Sequence, residues 1–197
     1  MDINQRIAMQ VRRLRDRQGF SLDVLAERSQ VSRSHISLIE RGESSPTAAV
    51  LDRLATALGV ALASLFEDSA AEVPSPISRE AEQAVWTDPA SGYVRRNLSP
   101  SAAAASAGLQ LVEVQFPAGA RVALDSAVRD NQVHQQIWLI KGRMHITVGV
   151  VAWDLAAGDC LAMRLDQPIV FHNPGKLPAR YLVALSTAAA VFSKRTV

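Results

Sequence analysis

Residues 21–42, SLDVLAERSQVSRSHISLIERG, constrain the fold more than any other part of the chain. Leu22, Leu25 and Ala26 recur at helical spacing, Val31 falls in a break, and Ile36 and Ile39 repeat three residues apart. The pattern predicts two short helices joined by a tight turn. Ser21 stands where a hydroxyl can cap the orphan amides of the first of them. The outward face of the second carries Arg33, Ser34, Ser37 and Arg41, all polar and two of them basic. A helix that packs on one side and presents such a face on the other suits the major groove of duplex DNA.

Residues 3–66 resemble the phage-repressor-like (Xre) helix-turn-helix regulators. The LA pair of the first helix, the turn VS followed by RSHIS, and the closing IERGE carry the likeness. The resemblance implies roles by position. Arg33 and Ser34 open the recognition helix, where an arginine fork can meet guanine O6 and N7. Ser37 and Leu38 follow one turn later, near bases or a thymine methyl. Ser21 and Ser32 sit at helix N-termini suited to phosphate oxygens, and Arg41 is placed for a backbone phosphate. Arg15 and Glu40 would pair to fix the first helix against the recognition helix. The family often has Gly in the turn, where this chain has Gln30. A positive φ is expected there, at a cost of about 1 kcal/mol.

The rest of the N-terminal third fits a small all-α domain. Ile3, Ile7, Val11 and Leu14 form one face of a helix over 3–18, stopped by Gly19. Pro46 and Thr47 open a fourth helix, Gly59 closes it, and a short fifth is expected over 61–66. Residues 67–80 lack periodicity and hold Pro74 and Pro76, so they read as a linker. Beyond residue 81 the pattern turns strand-like. Candidate strands are 84–87, 93–97, 109–116, 120–125, 135–140, 143–150, 160–164, 168–172 and 180–187, divided by PASG, PAG, KG, AAGD and NPGK. Alanine-rich 101–107 reads as a loop. The expected class is α+β multidomain: a five-helix domain over 1–66, a linker over 67–80, and an all-β unit over 81–197.

That unit resembles the cupins, a jelly-roll β-barrel family, over about residues 107–188. FPAG, IWLIKGRMHITVG (read as a hairpin at Gly142) and AAGDCLAMRLDQPIVFHNPG carry the likeness. Cupin enzymes usually hold a divalent metal through two His and a Glu of the first motif and one His of the second. Here the Glu position is Gln135, the second-motif His position is Ile169, and residues 129–131 supply no histidine. An amide and an isoleucine cannot replace a carboxylate and an imidazole, so no metal and no cofactor are expected. No other catalytic constellation stands out, and the chain is not read as an enzyme. The inward candidates near the lost metal position are Gln135, Ile137, Met163, Ile169 and Phe171, as core or as the lining of an effector pocket.

Composition bounds the remaining choices. The single cysteine, Cys160, excludes an internal disulfide and an all-Cys zinc site, and reads as a small buried hydrophobe. A net charge of only +2 argues against a polybasic coat, so basic charge acts locally, as at Arg12, Arg13, Arg15 and Arg17. No apolar run approaches the ~18 residues of a membrane span, and the N-terminus lacks a signal-peptide pattern. The expectation is a cytoplasmic, homodimeric transcription regulator and repressor. It would bind double-stranded DNA at a palindromic operator and sense a small molecule in the barrel. A cupin enzyme with an accessory DNA-binding domain is the alternative.

Overall fold

The structure is a computed structural model and describes residues 2–66, 75–100, 108–125 and 133–187. Four α-helices come first: α1 (Ile3–Arg17), α2 (Leu22–Ser29), α3 (Arg33–Glu40) and α4 (Ala48–Ala57). Side-chain oxygens of Ser21, Ser32 and Thr47 accept from Val24, His35 and Val50 amides, so hydroxyl caps start α2, α3 and α4. Ile7, Val11, Leu25, Ile36, Ile39, Leu51 and Leu54 are fully or almost fully buried and form the shared helical core. The fifth expected helix is instead a five-residue 3-10 turn, Leu62–Phe66. Ser64 bonds back to Ala61 there, and so short a piece closes in three-residue steps.

Ten strands follow: β1 (Val85–Thr87), β2 (Val94–Asn97), β3 (Leu109–Phe116), β4 (Arg121–Leu124), β5 (Val133–Lys141), β6 (Arg143–Val148), β7 (Val151–Ala156), β8 (Cys160–Arg164), β9 (Ile169–His172) and β10 (Ala179–Thr187). They form a six-stranded sheet, β1-β2-β3-β10-β5-β8, and a four-stranded sheet, β4-β9-β6-β7. Every pairing is antiparallel. Sheet orders β3-β10-β5-β8 and β4-β9-β6-β7 are those of a jelly roll, the architecture of cupins. No ladder joins the two sheets among the described residues, so they face each other as a sandwich rather than a closed barrel.

Three sequence expectations change here. The apolar run 143–150 ends as a strand at Val148: Gly149, at φ 58°, turns the chain into β7, a strand absent from the nine expected. The segment around Gly142 is not a hairpin, because β5 and β6 belong to different sheets. Gly142 is the corner between them. Its φ is 91°, and a Cβ there would stand 2.8 Å from the Ala179 backbone. Cys160 is exposed, since its register opposite Trp138 turns it to the outer face of the six-stranded sheet. The alanine-rich segment 101–107 and most of the linker, 67–74, lie outside the described residues.

The helical and sheet halves pack on each other directly. The Asp88 carboxylate accepts from the Ala48 amide at 2.9 Å, capping the first turn of α4 from the sheet side. Phe66 ends the 3-10 turn against Trp86 of β1, with ring centroids 5.4 Å apart. The rings continue inward through Tyr93, Phe116 and Tyr181 at 5.6, 5.6 and 6.4 Å. Phe66 and Trp86 are each 2% exposed, so their contact is a core contact. Replacing Phe66 by Ala should destabilise the protein by about 3–5 kcal/mol. Helical ellipticity and tryptophan fluorescence should then fall together in one thermal transition. Unchanged melting of the sheet half would show that the two halves are energetically independent.

Candidate functional site

Two places concentrate chemistry: the outer face of α3, and a cavity where the helical half meets the two sheets.

Helix α3 is fixed from both ends. At its start, Gln30 ends α2 at φ 54°, among the described residues the one non-glycine position with positive φ. Its side-chain amide donates to the Glu27 carbonyl at 2.6 Å, which helps hold the left-handed turn. At its end, Gly42 at φ 71° lets Glu43 and Gly42 amides bond back to the Leu38 and Ile39 carbonyls. Along its length, Arg15 grips Glu40 with two parallel bonds of 2.7 and 2.8 Å and donates a third to the Phe20 carbonyl at 3.0 Å. Their side chains are 13% and 8% exposed. The Glu40 bond and charge raise the Arg15 pKa, with burial opposing.

Ile36 and Ile39 face the core, and the opposite side of α3 stays open. Arg33, Ser34 and Leu38 are exposed and Ser37 half-buried on that side, with exposed Arg41 just beyond the last turn. Arg33 lies 3.1 Å from Asp23 in an exposed pair. Arg41 donates to Ser37 at 2.7 Å and holds Glu43 with both arms of its fork. Glu43 raises the Arg41 pKa, and Arg41 lowers that of Glu43. Ser21 and Ser32 serve as caps and remain exposed. Arg12, Arg13 and Arg17 are exposed on α1. The outcome is a rigid helix with two exposed cations, small hydroxyls and one exposed leucine on a convex face.

The cavity lies between the sheets and is closed at one end by the helical half. Asp52 of α4 and Leu62 and Ala63 of the 3-10 turn form that end. Gln135, Ile169 and Phe171 line the sheet interior; Ile137 and Met163 are buried and do not line it. Gln135 reaches only the Met163 sulfur, at 4.0 Å. The sequence reading passed over Tyr93, Arg95 and Tyr181, which also line the cavity. Strand alternation was the available signal: in Val94–Asn97 one of the two arginines must face inward, and it is Arg95.

The residues at the cupin metal position do not fit a metal. Gln135 offers a neutral amide and Ile169 no donor. His134 is exposed on the outer side of β5. His172 and His145 stand opposite each other in the β6–β9 register, and His145 bonds Asp154 at 2.7 Å. Among the described residues no group of three or more His, Cys, Asp or Glu is placed to hold a metal ion. Residues 129–131, where first-motif histidines would fall, lie outside the described residues. Also among the described residues, no helix is long and apolar enough to cross a membrane.

Comparison with known proteins agrees with this division. The helix-turn-helix family model HTH_3 matches residues 11–65. Those residues are an HTH_3 helix-turn-helix domain. The HTH-type transcriptional regulator SutR of Escherichia coli (strain K12) is 25% identical over 171 residues, covering 84% of this chain and 86% of that protein. An HTH_3 family transcriptional regulator from Vibrio cholerae has a solved structure with a TM-score of 0.73. It is 24% identical and covers 95% of this chain and 98% of its own. That likeness extends the shared fold over both halves. A Cupin_2 domain of an XRE family transcriptional regulator from Enterobacter cloacae aligns with 49% of this chain and 98% of its own, at 14% identity and a TM-score of 0.44. The chain joins an HTH_3 helix-turn-helix domain to a jelly roll.

Removing one side of the Arg15–Glu40 pair strands a charge in the domain core. Arg15→Met should cost about 3–5 kcal/mol in thermal or denaturant unfolding. The double change Arg15→Met, Glu40→Leu should recover most of it. A single variant as stable as wild type would show that the pair is incidental.

Proposed function

We propose that the chain is a sequence-specific DNA-binding transcription regulator, a repressor, that reads a palindromic operator as a dimer and responds to a small molecule held in its jelly roll. The open face of α3 carries this reading. Arg33 and Ser34 stand at the N-terminal end of the helix, where side chains of a recognition helix meet base edges. Ser37 and Leu38 follow one turn later. Arg41, and the capping hydroxyls of Ser21 and Ser32, are assigned to phosphates. The Asp23 and Glu43 carboxylates now paired with Arg33 and Arg41 are exposed, and exposed, solvent-screened pairs hold weakly. Both arginines are therefore cheap to redirect onto DNA.

Functionally the chain divides as a DNA-binding domain over 1–66, a linker over 67–80, and a sensing and dimerising unit over 81–197. Support for self-association comes from the outer face of the six-stranded sheet. Leu109, Leu111 and, two strands away, Trp138 share that face by strand register and are 44%, 39% and 49% exposed. A two-fold dimer would set two recognition helices about 34 Å apart, one turn of DNA. The protein is assigned to the cytoplasm, where its DNA is. The enzyme alternative gains nothing from the neutral amide of Gln135 or the aliphatic side chain of Ile169, and a regulatory role is favoured.

Replacing Arg33 by Ala should cost about 1–3 kcal/mol of affinity on the selected operator and little on random duplex. Titrations at matched salt measure both. Equal loss on the two duplexes would reduce Arg33 to a phosphate contact.

A further inference from the structure

Arg95 is the least expected residue of the interior. It projects from β2 into the cavity, is 7% exposed, and its Nε has no hydrogen-bond partner. No ion pair reaches it among the described residues. Its guanidinium lies over the Phe66 ring, 4.8 Å from the centroid. That contact offsets part of the cost of burying a cation and leaves the donor edge of the fork unused. Burial depresses the Arg95 pKa, with Tyr93 and Tyr181 opposing. The same burial raises both tyrosine pKa values, so both phenols stay protonated and can donate. An unpaired buried guanidinium costs several kcal/mol, and a native interior keeps one where something else completes it.

We propose that this cavity binds a small organic carboxylate, its carboxylate on the Arg95 fork and its short apolar chain against Val114, Leu165, Ile169 and Phe171. The proposal deepens the sensing role given above and rests on it. Arginine matches a carboxylate with two parallel bonds. The cavity lining holds one cation, Arg95, between neutral phenols, with the Asp52 carboxylate on its helical wall, and no second cation for a phosphate dianion. About 60 Å³ is open to the centres of water-sized spheres, several times the ~10–15 Å³ one water needs. The site therefore suits a ligand of a few heavy atoms. It also explains how occupancy reaches the DNA-binding half. Phe66 covers the back of the guanidinium, while Asp52, Leu62 and Ala63 close the cavity. A carboxylate on Arg95 changes the surface on which the 3-10 turn and α4 rest.

The test is calorimetric titration of the full chain with isovalerate, with leucine, and with isovaleramide, the neutral isostere of isovalerate. Inorganic phosphate serves as the anion control. Binding of isovalerate or leucine, with the amide and phosphate weaker by roughly tenfold or more, is the expected result. Leucine alone binding would assign the site to amino acids, and isovalerate alone to simple acids. No binding of either at millimolar concentration, or equal binding of the amide, overturns the proposal. Arg95→Met should abolish binding and melt at or above the wild-type temperature without ligand, because it removes an uncompensated charge. Wild-type carboxylate affinity in that variant overturns the proposal. Should the variant not fold, the acid-against-amide comparison on the native chain decides alone. Operator retardation run in parallel separates the two readings. A chain that binds DNA but no carboxylate refutes the ligand and keeps the regulator. A chain that binds the carboxylate but no specific DNA does the reverse.

Discussion

The contact between Phe66 and Trp86 organises the molecule. It joins the last turn of the helical half to the first strand of the sheet half and starts the row of rings that leads into the interior. Two neighbours depend on it. Asp88 sits two residues past Trp86 and caps α4, so the helical half is hydrogen-bonded as well as packed onto the sheets. Arg95 lies over the Phe66 ring and lines the cavity between the halves, with its Nε unpartnered. A DNA-binding domain on a loose tether would have no such continuity. Here the cavity wall and the support of α4 are the same few residues.

The face of α3 proposed to meet DNA is held in place by interactions on the other sides of the helix. The two-pronged Arg15–Glu40 bond spans 25 residues and sets α3 against α1. The strained Gln30 turn and the Gly42 terminus define where α3 begins and ends. Holding the helix this way means its ordering is not left to be completed when it docks, which lowers the entropic cost of association. The exposed side chains keep their freedom, because their present partners are solvent-exposed acids.

Much of this was legible in the chain itself. Helical spacing placed Ile7, Val11, Leu25, Ile36, Ile39 and Leu54 in one core, and hydroxyls at 21, 32 and 47 marked three helix starts. Gln30 as a positive-φ position and Arg15 with Glu40 as a pair both followed from the family resemblance. The strand half was harder. Alternation in 133–139 separates inward from outward residues, but nothing local says that Gly142 turns between sheets instead of within one. The apolar run at 146–151 hid a two-residue turn for the same reason. Asn173, fully buried, bonds the Phe116, Pro117 and Leu177 carbonyls and ties two loops together, a role that only the folded arrangement reveals. The cavity was sought from the cupin metal position and so only its deep end was anticipated. Its other end is made by residues far away in sequence, Asp52, Leu62 and Ala63 among them, which meet Arg95 only once the halves dock.

Selection of bound sequences from a random duplex pool by the full chain, at moderate salt, tests the central claim most directly. The account predicts enrichment of one inverted repeat whose half-sites are centred about one helical turn apart. Recovery of no common sequence, with binding that simply fades as salt rises, would contradict it.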